Sequence, residues 1–331
     1  MGNGTRRAHL RQSARFAVTR IPLTIIGGFL GSGKTTLLNR MLRGSAGRRI
    51  AVLVNDFGDI NIDAELITGH EGSTISLSNG CICCSIGDSL VEALVEVVRM
   101  TPPPEHIVIE ASGVAEPQNI AEIARLDPGL RLSGILVMAD AERVKELAGD
   151  KFVGDTVRHQ LCAADMILLS KVDRVLEERK ADLHAWLRNA IGVKRIVETV
   201  HGAVPMDVLF DTDFEEPGAG ATVAHHDHHD HHAHDDQFET WAFVSDQEFD
   251  GGKLGELLGS LPAGVLRAKG FLRTQQKPGQ TGILHLVGGH WEIAWHAAPA
   301  GTPAIRLVLI AVKGTLDREA LQKRFACALA D

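Results

Sequence analysis

From residue 21 onward, short apolar runs alternate with longer amphipathic ones. Residues 21–26, 50–54, 106–109, 134–138 and 166–169 are rich in Val, Ile and Leu at successive rather than alternate positions, the pattern of strands buried on both faces. Residues 87–100 instead set Leu90, Val91, Leu94, Val97 and Val98 at helical spacing, and 174–190 read as a charged surface helix. Such alternation predicts an α/β domain over residues 21–210, a mostly parallel sheet whose right-handed crossovers carry helices onto both faces.

Residues 211–237 break the pattern. They are rich in Gly, Asp and Glu, then set His225, His226, His228, His229, His231, His232 and His234 among Asp227, Asp230, Asp235 and Asp236. A stretch with so little apolar surface cannot form a core and predicts a mobile linker. Its imidazoles suit auxiliary capture of divalent ions without a fixed geometry, with an inert linker as the alternative. Beyond it, 238–244, 264–273, 282–287, 291–295 and 305–312 read as strands, and 253–261 and 317–329 as helices. The prediction for residues 238–331 is a smaller α+β domain with a largely antiparallel sheet.

At 331 residues and 44% hydrophobic content, the chain can bury at least one full core, and its length suits roughly two domains. Its net charge of −8 argues against a partner such as duplex nucleic acid, which favours a basic stripe. No apolar run is long enough to span a membrane. Residues 1–20 carry Arg6, Arg7, Arg11, Arg15 and Arg20 with no acid and no apolar h-region, which excludes a secretory signal; a disordered basic leader is expected, with an organelle transit peptide as the alternative. Five cysteines, three of them crowded together, suit metal chemistry in a reducing cytoplasm better than a disulfide framework. A monomer or a dimer is expected.

Gly28-Phe29-Leu30-Gly31-Ser32-Gly33-Lys34-Thr35 has P-loop spacing between a predicted strand and a helix beginning near Thr36. Gly28, Gly31 and Gly33 let backbone N–H groups turn inward around phosphates, and Ser32 and Thr36 belong to the same nucleotide-binding turn. Lys34 is expected to reach the β- and γ-phosphates and the Thr35 hydroxyl to coordinate Mg2+, while the helix N-terminus adds partial positive charge. Downstream, 107–110 end a buried strand in Glu110, followed by Ala111-Ser112-Gly113. An acid there lies at the carboxyl edge of the sheet, where Glu110 can hold magnesium through water and the Gly113 N–H can contact the γ-phosphate. Ser170-Lys171-Val172-Asp173 is similar to the guanine-reading Asn-Lys-x-Asp motif, with Asp173 accepting the N1–H and amino protons that adenine does not offer together. Ser170 in place of asparagine predicts that one base contact and one brace to the P-loop are shorter or missing. An N-cap for the following helix is the plain alternative.

Cys81-Ile82-Cys83-Cys84 follows the turn signal Asn79-Gly80. In an extended segment Cys81 and Cys83 share a face and Cys84 opposes them, whereas a bend lets all three converge. Three soft donors this close favour Zn2+, or Co2+, with a fourth ligand from elsewhere; buried cysteines or a redox pair are the alternatives. Residues 54–63 stand where a switch I loop belongs, and Asp56 or Asp59 could approach magnesium, water or the thiolate-bound metal, or lie in a solvated acidic loop. Cys162 and Cys327 sit in apolar helical contexts and read as packing residues. Arg267, Lys269 and Arg273 read as a solvated strand face in preference to a docking or interdomain surface, and Trp241, Trp291 and Trp295 as core.

Six segments together resemble the CobW family of GTP-dependent metallochaperones. They are Gly-Gly-Phe-Leu-Gly-Ser-Gly-Lys-Thr-Thr-Leu-Leu-Asn-Arg at 27–40, Asn-Asp-Phe-Gly-Asp at 55–59, Asn-Gly-Cys-Ile-Cys-Cys at 79–84, Glu-Ala-Ser-Gly-Val-Ala-Glu-Pro at 110–117, Ser-Lys-Val-Asp at 170–173 and Leu-Arg-Ala-Lys-Gly-Phe at 266–271. The resemblance implies a P-loop GTPase domain, a His-rich linker and a CobW-type C-terminal domain, with zinc or cobalt handled for a client metalloprotein. Thr35, Asp56 and Glu110 are then the expected magnesium residues. With no arginine finger or water-orienting glutamine identifiable, GTP hydrolysis is expected to be slow. The chain departs from the family pattern at Asp56, where many relatives have Glu, at Ser112 for a frequent Thr, and at Ser170 for Asn. Two other functions fit the same residues: a metal buffer with a vestigial GTPase, and a GTPase activator of a metalloenzyme with structural cysteines.

Overall fold

The structure, a computed structural model, describes residues 20–45, 48–54, 74–76, 88–193, 195–210, 237–297 and 303–330. Seven strands, β1 (Ile21–Gly27), β2 (Ile50–Val54), β3 (Thr74–Ser76), β4 (His106–Glu110), β5 (Leu130–Asp140), β6 (Met166–Ser170) and β7 (Ile196–Thr199), form one sheet in the order β3-β2-β4-β1-β5-β6-β7. Every pairing in it is parallel. The helices are α1 (Lys34–Arg43), α2 (Asp88–Arg99), α3 (Pro117–Leu126), α4 (Val144–Leu147), α5 (Gly154–Cys162), α6 (Glu177–Trp186) and α7 (Met206–Leu209).

Alternate residues of the central strands feed two cores. Leu23 and Ile25 of β1 and Ile135 and Val137 of β5 join α2, α3 and α5 on one face. Ile26, Leu136 and Met138 point the other way, into a core with Leu37, Leu38 and Met41 of α1 and Val208 and Leu209 of α7. Burial on both faces explains the unbroken apolar runs and bears out the predicted α/β class. The edge strands β3 and β7, three and four residues long, are too short for the apolar pattern to reveal.

The C-terminal domain holds β8 (Phe238–Ser245), α8 (Gly251–Gly259), β9 (Val265–Leu272), β10 (Gln280–Val287), β11 (His290–Ala297), β12 (Ile305–Val312) and α9 (Arg318–Cys327). Its five strands are antiparallel in the order β11-β10-β9-β12-β8. One face carries a core of Trp241, Phe243, Phe249, Leu257 and Phe325 beneath α8 and α9. Asp250 caps α8 by accepting from Gly252 N and Lys253 N, and Asp317 caps α9 by accepting from Ala320 N.

The two domains share buried surface. Leu266 and Ile310 of the C-terminal sheet enter the core built by α1 and α7. Arg267 is only 4% exposed and donates from Nε to Val208 O (2.6 Å) and from Nη2 to Leu209 O (2.8 Å). This corrects the expected solvated strand face: the guanidinium fork satisfies carbonyls at the end of a four-residue helix, which has no continuation to do so. Nearby, Arg195 Nε donates to Val265 O and His290 Nε2 lies 3.1 Å from Asp165 Oδ1.

Three packing expectations fail. Cys162 and Cys327 are exposed, each turned outward beside a buried neighbour, Leu161 and Ala328 respectively. Trp291 is 41% exposed, while Trp241 is buried as expected. Among the described residues, no helix is long and apolar enough to cross a membrane. The leader through residue 19 and the histidines of 225–234 lie outside the described residues.

Candidate functional site

Parallel strands bring their carboxyl ends to one edge of the sheet. Cross-strand register there sets Ser76 beside Val54, Val54 beside Glu110, and Glu110 beside Ile26. On the other side of β1, Asp140 pairs with Ser170. The loop of residues 28–33 follows β1 at this edge. Its glycines at 28, 31 and 33 all have positive φ, 132°, 75° and 104°, a region closed to most side chains. A Cβ on Gly28 would lie 2.4 Å from Met138 O, so only glycine lets the loop turn this close to β5. Lys34 is 8% exposed and donates from Nζ to Gly28 O at 3.0 Å, closing the loop over the start of α1.

Ser170 and Lys171 brace that loop from β6. The buried Ser170 Oγ lies 2.8 Å from Ser32 O and 3.2 Å from Ala139 O. The brace expected to be shorter or missing is therefore made, because a strand end this close to the loop needs no longer side chain than serine. Lys171, with φ 58°, donates from Nζ to Gly31 O (2.9 Å) and to Asp140 Oδ2 (2.6 Å). Asp173 is exposed in the single turn Val172–Arg174 that follows. Thr35 is half-buried and Thr36 exposed in the first turn of α1. Asp140 is a site residue that the sequence reading misses, although it carries the same signal as Glu110, an acid closing a buried strand at this edge.

Glu110 ends β4 with 2% exposure. The residues after it form a turn closed by Ala115 N donating to Ser112 O at 3.0 Å. A Cβ on Gly113 would lie 2.5 Å from Leu30 Cδ2, so this turn is wedged against the P-loop. From α5, Gln160 Nε2 donates to Gly113 O and Ala115 O. Ser32 Oγ and Ser112 Oγ are buried with no hydrogen-bond partner among the described residues. Two such hydroxyls, a folded-back lysine and a helix N-terminus around one glycine loop suit an incoming polyanion. Asp56, Asp59, Cys81, Cys83 and Cys84 lie outside the described residues.

Residues 22–198 match the CobW/HypB/UreG nucleotide-binding domain, and residues 238–329 the cobalamin synthesis protein cobW C-terminal domain. The chain belongs to the CobW family. As a CobW-family protein it is a P-loop GTPase, and the expectation drawn from the six segments holds at that level. A Pseudomonas aeruginosa protein named Zinc chaperone CobW is 30% identical, covering 95% of this chain and 92% of its own. A Dictyostelium discoideum protein named Zinc-regulated GTPase metalloprotein activator 1 is 27% identical, covering 81% of this chain and 66% of its own. Among solved structures, Zn(II)-bound YjiA GTPase from E. coli is 23% identical, with 93% and 99% coverage and a TM-score of 0.41.

Proposed function

We propose that this CobW-family GTPase is a metallochaperone that holds a divalent ion, zinc before cobalt, at Cys81, Cys83 and Cys84 and passes it to a client metalloprotein when GTP is hydrolysed. One observation carries the reading. The strands that lead into the Asp56 and cysteine segments, β2 and β3, end in register with Glu110 at the edge that holds the P-loop. The reading takes the segments that leave that edge to respond to a γ-phosphate, as switch segments do.

In this reading the P-loop amides and Lys34 hold the phosphates, Gly113 N–H reads the γ-phosphate, and Asp173 reads guanine beside Ser170 and Lys171. Magnesium would be held by Thr35, Glu110 and Asp56. Thr35 and the buried Glu110 offer the hard oxygens this ion takes, and magnesium supplies charge neutralisation for phosphoryl transfer. GTP and water give GDP and phosphate, and loss of the γ-phosphate releases the segments that complete the thiolate site.

Zinc affinity measured with a competing chelator tests the coupling. It is expected to be about 5 to 150 times tighter with a non-hydrolysable GTP analogue than with GDP, the usual range of allosteric coupling. Equal affinity in the two states overturns it. Cys83→Ser should abolish the difference and leave GTP hydrolysis intact. If that variant instead loses its fold or behaves as wild type, the activator function with structural cysteines is favoured.

A further inference from the structure

Gln160 puts a carboxamide in the apolar face of α5, 1% exposed, with Leu161 and Val157 buried beside it. Its amide nitrogen has two protons, and the structure gives each a carbonyl: Gly113 O at 3.1 Å and Ala115 O at 2.9 Å. The consequence for the turn after Glu110 follows from its peptide planes. The N–H of Gly113 belongs to the peptide whose carbonyl is Ser112 O, and Ala115 N holds that carbonyl. Ala115 is held in turn, through its own carbonyl, by Gln160. On the opposite side, Leu30 of the P-loop leaves no room for a side chain at Gly113. Just beyond the turn, Glu116 Oε1 lies 3.1 Å from His159 Nδ1, a second and exposed tie to α5.

We propose that Gln160 is a positioning residue for GTP recognition, fixing the Gly113 turn so that γ-phosphate binding need not order it. The proposal rests on the reading that Gly113 contacts the γ-phosphate. It adds a route by which that contact reaches the rest of the domain, because α5 runs on into β6 and the Ser170 brace. A residue that merely filled the core would affect GDP and GTP alike. A residue that sets the γ-phosphate contact affects GTP alone.

The test measures the affinities of the full-length protein for GDP and for a non-hydrolysable GTP analogue, by displacement of a fluorescent nucleotide, together with single-turnover GTP hydrolysis. Gln160→Leu removes both donors at similar volume. It should leave GDP affinity within about twofold and weaken the analogue about tenfold, as loss of buried hydrogen bonds of ordinary strength implies. Hydrolysis should slow in parallel. Gln160→Glu should show the same selective loss at high pH and regain discrimination as pH falls, since a protonated carboxyl can again donate to one carbonyl. Gln160→Asn, one methylene short, serves the same comparison if the leucine variant fails to fold. Equal losses for GDP and analogue, or no loss for either, overturn the proposal while leaving the γ-phosphate reading standing. If the wild type itself does not distinguish analogue from GDP, both fall together.

Discussion

Replacing Arg267 with methionine keeps most of the buried stem and removes every donor. Arg267 is 4% exposed and its guanidinium is bonded to Val208 O and Leu209 O, beside a core that also includes the P-loop helix α1. A hydrogen bond from a charged donor contributes about 1.5 to 3 kcal/mol, and a buried carbonyl left without a donor costs about 1 to 3 kcal/mol. Relief from burying a guanidinium offsets part of that loss. The net expectation is destabilisation of about 2 to 4 kcal/mol, near the cost of breaking a buried polar pair. Urea unfolding followed by tryptophan fluorescence reads it, because Trp186 reports on the GTPase domain and Trp241, Trp291 and Trp295 on the C-terminal one. The midpoint should fall by about 1 M. The transition should also broaden or split as the two domains cease to unfold together. Arg267→Lys keeps the charge without the fork and should recover only part of the loss. A methionine variant within about 0.5 kcal/mol of wild type, the ordinary scatter of surface changes, would refute the clamp. So would a lysine variant equal to wild type.

Two further outcomes are expected. Ser170→Ala leaves the Ser32 carbonyl without its brace and should weaken GDP binding by about 1 to 2 kcal/mol, or roughly 5- to 30-fold, in equilibrium titration. Unchanged binding would mean that the loop holds its shape without β6. Asp165 is held above the usual carboxylate range by burial, against the opposing pull of His290 across the domain interface and of the Ile135 N–H, with Arg125 and Arg195 also nearby. Its native state therefore binds more protons than its unfolded state between the usual and the raised pKa, so stability falls as pH rises through that window. The stability of wild type relative to Asp165→Asn should accordingly decline with rising pH across the window, measured by urea unfolding. A constant difference would contradict it.

What could be read from the chain alone was local. Glycine spacing before Lys34 specifies a phosphate loop because the positive φ values and the backbone amides that make one all lie within eight residues. Continuous apolar runs identify strands buried on both faces, and helical spacing identifies the helices that cover them, because both periodicities are set by the backbone itself. The contacts that build the site depend instead on strand order. Ser170 reaches Ser32 across 138 residues because β6 and β1 both flank β5. Gln160 reaches Gly113 across 47 residues because α3 and α5 cover the same face. Arg267 sits in a strand whose local pattern marks it as solvated, and the GTPase domain docked against that strand buries it. Periodicity can tell which face of an element is apolar, but what lies against a polar residue on that face is decided only when distant segments meet.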